Sequence, residues 1–247
     1  MIVNLNFTVI SKRALIGVAL AILVPLVGFL IVDHYSKNIV SIPRYYVAEG
    51  VDTVFKDGKT TYDTVYHQVK NFQLTNQLGQ QVSLDDLDGK IVVVNLFFTH
   101  CPVVCPKLTK NIKSLQDAFV KNDTLVQFLS LSVDPVRDSV SQLKRYADHF
   151  DIDPGNWWLM TGSKQEIYDL ARHELFVSAT EGDGGPNDFI HSEKLIVLDK
   201  NRYIRGYYNG LDSTDLGRCA ADVAFLFLEK DHTKPGLLKR IFSGGDH

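Results

Sequence analysis

The first long apolar run of the chain covers residues 14–32, which contain no charged side chain and one proline, Pro25. As a helix this run would be roughly 28 Å long, close to the hydrocarbon thickness of a bilayer. Asp33, His34 and Tyr35 follow it, whereas the shorter apolar region of a signal peptide is followed by small residues at a cleavage site. The pattern therefore favours an uncleaved transmembrane anchor over a cleaved signal peptide.

The residues before this run predict its orientation. Lys12 and Arg13 precede it directly, and the positive-inside rule then keeps residues 1–13 in the cytoplasm. Residues 1–11 do not supply the Arg-rich leader that mitochondrial import would need. We therefore predict a single-pass protein of the bacterial inner membrane whose C-terminal domain lies in the periplasm.

The remainder of the chain changes its pattern near residue 69. Residues 33–68 lack sustained periodicity, and we interpret them as a tether with a local hairpin at the turn-like Lys56-Asp57-Gly58-Lys59. Residues 69–230 alternate between strand-like and helix-like spacings, which predicts an α/β domain with a mostly parallel sheet covered by helices. Residues 231–247 are predicted to form a loose polar tail. The predicted strands are 72–74, 82–84, 91–98, 125–133, 157–160, 192–198 and 203–208, and the predicted helices are 106–119, 139–150, 164–175 and 214–228.

Charge and cysteine content narrow the range of functions. A net charge of −3 and a pI near 6.2 leave no broad basic surface, so we do not expect a nucleic-acid partner. Three cysteines are too few for a disulfide scaffold, and their odd number leaves at least one unpaired within the chain. Their positions therefore carry more information than their number.

Cys101 and Cys105 fall where an apolar strand meets a helix. If the turn between them is helical, both sulfurs project from one face about 6 Å apart along the axis, where they can share one metal ion or form one disulfide. The positive end of the helix, with Lys107 and Lys110 nearby, favours the thiolate form. The alternative is a pair of buried structural cysteines or a structural disulfide.

Two thiolates make an incomplete metal site, so a third ligand is expected among the eight histidines. His191 is the candidate, because it precedes the apolar strand and would lie beside Cys101 if that strand neighbours residues 91–98. The alternative is an ordinary core or surface histidine. His100 adjoins Cys101 but is expected to point away from it. Solvated or capping roles are expected for the other histidines considered, which are His34, His67, His149 and His173.

Three other polar or sulfur-containing side chains are assigned structural roles. Cys219 has the neighbours Ala220, Ala221, Val223 and Ala224, which is typical of the packed face of a helix. Asp134 and Asp138 are expected to shape a turn and to cap the helix that starts near Ser139, rather than to act as acid and base.

Three ordered stretches of the sequence resemble the Sco/SenC family of copper chaperones. They are Phe97-Phe98-Thr99-His100-Cys101-Pro102-Val103-Val104-Cys105-Pro106, then Leu131-Ser132-Val133-Asp134-Pro135-Val136-Arg137-Asp138, and finally Phe189-Ile190-His191-Ser192 followed by Arg205-Gly206-Tyr207-Tyr208. The resemblance covers residues 69–229, and an N-terminal anchor also agrees with the family. Val103 and Val104 stand where acidic or hydroxyl side chains are frequent in the family.

The resemblance implies a fold, a ligand set and a partner. The fold would be thioredoxin-like, with a central mixed sheet flanked by helices, and the metal ligands would be Cys101, Cys105 and His191. Cys101 and Cys105 would also form a redox disulfide. The protein would deliver copper to the CuA centre of cytochrome c oxidase, in subunit II, and would be a metallochaperone rather than an enzyme.

The ligand chemistry agrees with copper and leaves two alternatives open. Two thiolates and one imidazole suit Cu(I), and a further oxygen would complete a Cu(II) site, whereas zinc prefers a fourth protein ligand. A thiol–disulfide oxidoreductase is the first alternative. Such proteins typically carry C-x-x-C facing a cis-proline. This chain instead has three residues between the cysteines, and Ile190-His191 is expected in the facing loop. A peroxidase-like or redox-sensing protein is the second, and no dedicated motif supports it.

Overall fold

The computed structural model describes residues 12–39, 47–56, 59–122, 124–177 and 192–229. The chain divides into two compact units, residues 1–42 and residues 43–247. The first unit contains helix α1, Lys12–Ile39. Among the described residues, none of the helices has the combination of length and hydropathy that a membrane crossing requires. The transmembrane anchor predicted for residues 14–32 is therefore not confirmed.

The second unit alternates strands and helices as the hydrophobic pattern predicts. Helix α4, Lys164–Asp169, continues directly into a π-helical turn, Leu170–Glu174, so the single helix predicted over 164–175 has two parts. The strands are β1 (Ala48–Lys56), β2 (Lys59–Tyr66), β3 (Gln73–Asn76), β4 (Gln81–Ser83), β5 (Ile91–Phe97), β6 (Val126–Ser132), β7 (Trp157–Thr161), β8 (Lys194–Leu198) and β9 (Ile204–Asn209). The helices are α2 (Val104–Ala118), α3 (Val140–His149), α4 (Lys164–Asp169) and α5 (Ser213–Leu228).

Seven of these strands form one mixed sheet in the order β4-β3-β7-β6-β5-β8-β9. Only β5–β6 and β6–β7 pair in parallel, and the other four pairs are antiparallel. The prediction of a mostly parallel sheet was therefore wrong, whereas the central mixed sheet that the family resemblance implies is confirmed. The reason is that β3–β4 and β8–β9 are hairpins, and their short turns can join only antiparallel strands.

The core lies on both faces of the two central strands. Every residue of β5 and of β6 is buried, as expected for strands covered by helices on each side. Leu108, Ile112 and Leu115 turn one face of α2 toward this sheet, which confirms the helical spacing seen in the sequence. Leu108 also marks a close approach, because a Cβ on Gly210 would lie 2.2 Å from its Cδ1 atom. Glycine at position 210 thus lets the chain before α5 pack against α2.

Strands β1 and β2 form a separate two-stranded antiparallel sheet, so the hairpin predicted at Lys56–Lys59 is confirmed. Its base is held by His67, which is buried rather than solvated as the sequence suggested. The backbone N–H of His67 donates to the Val47 carbonyl at 2.8 Å, and its Nδ1 lies 2.5 Å from Glu49 Oε1. On the other side of the ring, Nε2 lies 3.1 Å from Glu174 Oε2. His67 therefore joins the hairpin base to the end of the π-helical turn.

Candidate metal centre

Cys101 and Cys105 lie at the junction of β5 and α2, as the sequence predicts. Strand β5 ends at Phe97 and α2 begins at Val104, so Cys101 belongs to the connecting loop and Cys105 to the first helical turn. The condition for both sulfurs to project from one helical face, a helical turn between the two cysteines, is therefore not met at Cys101. Pro106 occupies the first turn, where its missing N–H removes no helical hydrogen bond.

The two thiols are buried next to each other and neither forms a disulfide. The backbone N–H of Cys105 donates to Cys101 Sγ at 3.3 Å. Burial acts to raise the pKa of Cys101, but hydrogen bonds from the backbone N–H groups of Cys105, Val103 and Val104 outweigh it, and the pKa is lowered. These donors at the start of α2, rather than the charges of Lys107 and Lys110, are the principal groups that lower it. The site therefore favours a thiolate at Cys101.

Cys105 has the opposite protonation preference. Burial, with a smaller contribution from the neighbouring Cys101 sulfur, raises the pKa of its thiol to about 12 despite a backbone hydrogen bond from Phe98. Cys105 is thus a protonated thiol at neutral pH unless a metal ion displaces its proton. The pair thus combines one cysteine of lowered pKa with one of raised pKa, which suits both metal binding and disulfide exchange.

Asp138 holds the cysteine loop, and the sequence did not predict this role. Its fully buried carboxylate accepts hydrogen bonds from Thr99 N at 3.1 Å, Thr99 Oγ1 at 2.5 Å and Ser132 Oγ at 2.6 Å. The predicted cap of α3 is instead Ser139, whose Oγ accepts from the backbone N–H of Gln142. A carboxylate is needed here because all three of its contacts are donors. The signal that could have revealed it is its place in the second ordered stretch, after a buried strand.

Asp134 does shape a turn, as predicted. Its carbonyl oxygen accepts from the backbone N–H groups of Arg137 and Asp138, and its carboxylate pairs with Arg137 Nε. His100 lies beside this network with its side chain half exposed, and its Nδ1 is 3.1 Å from Thr99 Oγ1. His100 therefore lies beside the loop, with its Nδ1 3.7 Å from Asp138 Oδ1.

A cleft of about 530 Å³ opens beside Cys105. Its lining includes Phe98, Val104 and Cys105 around the start of α2, together with Ser192 and Tyr207. Strand β8 pairs with β5, so the condition set for the third ligand, that the two strands are neighbours, is met. His191 itself lies outside the described residues. Within those residues, no three His, Cys, Asp or Glu side chains form a group able to hold a metal ion.

Cys219 occupies a different environment from the other two cysteines. It is fully buried in the middle of α5, which confirms the packed helical face that its alanine neighbours predict. Burial raises the pKa of its thiol to about 12, and Asp222 and Asp215 add to the shift.

Comparisons with known proteins agree with this geometry. A family model described as SCO1/SenC matches residues 60–225. The chain is 29% identical to the SCO1 protein homolog of Bacillus subtilis over 167 residues, which are 67% of this chain and 86% of that protein.

Two solved structures extend the comparison. BsSco, described as a Sco-family cytochrome c oxidase assembly protein with a disulfide switch, is 28% identical with a TM-score of 0.59, and the match covers 66% of this chain and 95% of that chain. The copper-bound ScoI of Bradyrhizobium japonicum is 27% identical with a TM-score of 0.54, and the match covers 64% of this chain and 99% of that chain.

Proposed function

The chain belongs to the SCO1/SenC family, and on that premise we propose that it is a membrane-anchored copper chaperone for cytochrome c oxidase. Copper is its cargo, held by Cys101, Cys105 and His191 and passed to the CuA site of subunit II. The observation that carries the proposal is the buried cysteine pair at the start of α2, in which Cys101 Sγ accepts the Cys105 N–H at 3.3 Å. The copper-bound relative from Bradyrhizobium japonicum supports the choice of metal.

The position of Ser192 supports His191 as the third ligand. Ser192 lines the same cleft as Cys105, and His191 is its neighbour in the chain, with consecutive Cα atoms about 3.8 Å apart. An imidazole added to two thiolates gives a three-coordinate set suited to Cu(I). Low coordination in an open cleft would also let a recipient protein displace the ligands one at a time.

The chemistry of the cysteine pair supports redox control of this binding. A disulfide between Cys101 and Cys105 would remove both thiolates from the metal. The relative BsSco is described as containing a disulfide switch. We therefore expect the reduced protein to take up copper and the oxidised protein to bind little.

The proposed anchor is residues 14–32, with residues 1–13 in the cytoplasm and the domain in the periplasm. The sequence supports it, because the run has no charge and follows Lys12 and Arg13. In α1 the large apolar side chains from Ile16 to Val32 are all exposed, which leaves them available to lipid. Alkaline carbonate extraction of cell membranes tests this part, since an anchored chain stays in the pellet.

A thiol–disulfide oxidoreductase is the second candidate, favoured by the unequal thiols. Cys101 has the lowered pKa of an attacking thiolate, and Cys105 has the raised pKa of a resolving thiol. Such a protein would reduce the cysteines of the recipient, and it would not need His191.

His191→Ala separates the two candidates, because copper coordination needs the imidazole and dithiol exchange does not. If the chain delivers copper, the variant should bind copper more weakly, with the greater loss for Cu(II), and should not rescue oxidase assembly in a strain that lacks the protein. The matched control is His149→Ala, which changes an exposed histidine at the end of α3 and should behave as wild type. Full rescue by His191→Ala together with failure of Cys101→Ser would establish thiol reduction instead.

A further inference from the structure

Beyond the bulge at Glu49, the regular ladder of the hairpin β1–β2 has one face without a charged side chain, from the Val51–Thr64 pair to the Phe55–Thr60 pair. Cross-strand pairs in an antiparallel ladder point to the same face, and every second pair shares it. The register pairs Val51 with Thr64, Thr53 with Tyr62 and Phe55 with Thr60. These six residues form what we call the apolar hairpin face, whose members are Val51, Thr53, Phe55, Thr60, Tyr62 and Thr64.

This face is open to solvent although it carries large side chains. The exposed fractions of Val51, Tyr62 and Phe55 are 64%, 75% and 77%. Asp52, between Val51 and Thr53, points to the opposite face. A two-stranded hairpin is marginally stable in water without a surface to pack against. The arrangement therefore indicates a surface that packs against the apolar hairpin face and not against the opposite face.

The core of the protein does not supply that surface. Among the described residues, β1 and β2 pair only with each other and not with the seven-stranded sheet. The family match starts at residue 60, so all of β1 lies outside it. The core thus does not account for this face, and Val51, Thr53 and Phe55 of β1 also lie outside the family match, whereas Thr60, Tyr62 and Thr64 lie within it.

The length of chain before the hairpin limits where the covering surface can be. Residues 40–46 separate α1 from Val47. Even fully extended, the chain from Ile39 to Val47 spans at most about 28 Å. A hairpin of this length is itself about 27 Å long. If residues 14–32 are anchored, the seven helical residues from Asp33 to Ile39 add about 10 Å to this distance, and the apolar hairpin face can reach the bilayer surface.

A second copy of the chain is a poorer fit for this face. Two strands of this length present roughly 270 Å² of face, from a length of about 27 Å and a width of about 10 Å. A stable protein interface needs about 800 Å² from each partner. A bilayer can bind this face through a smaller area, because the anchor already gives the hairpin a high effective concentration near the lipid. Phenylalanine and tyrosine are also side chains that bind at the membrane–water interface.

We propose that the apolar hairpin face lies on the bilayer that holds the anchor, with Phe55 and Tyr62 inserted at the level of the lipid head groups. This inference rests on the anchor of the proposed function, and it adds a second, reversible membrane contact. Because His67 fixes the hairpin base to the π-helical turn, contact of the hairpin with lipid would also restrict the orientations of the domain that carries the cysteine pair.

The test places a fluorescent reporter on each face of the hairpin in the full chain. The reduced full-length protein is reconstituted in phosphatidylcholine–phosphatidylglycerol vesicles, with and without lipids brominated near the head group. Phe55→Trp reports from the apolar hairpin face, and Tyr62→Trp is a second reporter on that face in the partner strand. Asp52→Trp is the matched control on the opposite face. Trp157 and Trp158 contribute the same background to all three variants.

Bromolipids should quench the added emission of Phe55→Trp and Tyr62→Trp and leave that of Asp52→Trp nearly unchanged. Unquenched emission from both reporters, or equal quenching of all three, would overturn the proposal. Carbonate extraction of the same vesicles distinguishes the two levels of failure. Protein that stays in the pellet while its reporters are unquenched is anchored without hairpin contact, whereas protein released to the supernatant overturns the anchor and the hairpin contact together.

Discussion

The start of α2 and the middle of α5 place cysteines in two contrasting environments. Cys101 and Cys219 are both buried, and burial acts to raise the pKa of each thiol. At Cys101 the N–H groups of the first helical turn outweigh burial and lower the pKa. In mid-helix the backbone N–H groups are already engaged within the helix, and the pKa of Cys219 reaches about 12. The difference shows that backbone donors, more than exposure, decide which cysteine of this chain is reactive.

The largest difference between the two environments is expected when the same substitution, cysteine to serine, is made at Cys101 and at Cys219. Cys101→Ser replaces a soft thiolate with a hard hydroxyl, and we expect its Cu(I) affinity to fall by more than about 100-fold. Cys219→Ser should keep wild-type copper affinity and lose about 1–3 kcal/mol in the free energy of unfolding, because a hydroxyl is buried in an apolar site. Competition with a Cu(I) chelator and denaturant unfolding measure the two effects. An equal loss of copper from both variants would contradict the separation of roles.

Asp138 allows a test of the loop that holds Cys101. In Asp138→Asn an amide replaces a carboxylate that accepts from Thr99 N, Thr99 Oγ1 and Ser132 Oγ, so the negative charge is lost and at least one hydrogen bond donated by a hydroxyl must be lost or reversed. We expect copper affinity to fall roughly 10–100-fold, the usual range for groups that support metal ligands. Asp148→Asn, in the neighbouring helix α3, is the matched control, since it removes only an exposed ion pair with Lys144. Similar affinities for the two variants would show that the loop does not depend on Asp138.

The pH dependence of alkylation should sharpen the comparison. Only the thiolate reacts with iodoacetamide, and the pKa of Cys101 is lowered while those of Cys105 and Cys219 are raised to about 12. As pH rises, Cys101 should therefore be modified first, and the other two should remain thiols until strongly alkaline pH. Peptide mass spectrometry after a short pulse on reduced, metal-free protein gives the midpoint at each position. A midpoint for Cys101 at or above that of Cys219 would contradict the assignment.

The smallest effect is expected from the two lysines near the pair. Lys107→Gln and Lys110→Gln remove positive charge but leave the N–H groups of Val103, Val104 and Cys105 in place. Because exposed charges are well screened, the alkylation midpoint of Cys101 should move by less than about 0.3 pH units. The same pulse-labelling experiment measures it. A shift as large as one unit would mean that side-chain charge, and not the backbone, controls this thiol.

Local pattern predicted the elements of the domain well, because strand and helix periodicities depend on nearby residues. The fully apolar β5 and the spacing of Leu108 and Ile112 are examples. Strand direction was predicted less well for strands that are distant in the chain, since the antiparallel pairings of β8 with β5 and of β3 with β7 are decided by tertiary contacts.

The residues of the site also divide into those that local pattern predicted and those that depend on tertiary contacts. Cys101 and Cys105 were found from their spacing at a strand-to-helix junction. The role of Asp138 was missed because its partners Thr99 and Ser132 lie on other elements and leave no periodic trace. The open face of the hairpin was also missed, because alternation alone does not reveal what, if anything, covers a strand. His191 stays a prediction, since it lies outside the described residues.

The contact between Asp138 and Thr99 also has a consequence for the timing of biogenesis. The two residues are 39 positions apart in the chain. At a synthesis rate of about 5–20 residues per second, roughly two to eight seconds separate the appearance of Thr99 from that of Asp138. For most of that interval, from the synthesis of Cys105 onward, the nascent chain carries both cysteines without the group that fixes their loop. A copper donor therefore meets a finished binding site only after Asp138 and the proposed ligand His191 have been made, whereas an oxidant can reach the two thiols earlier.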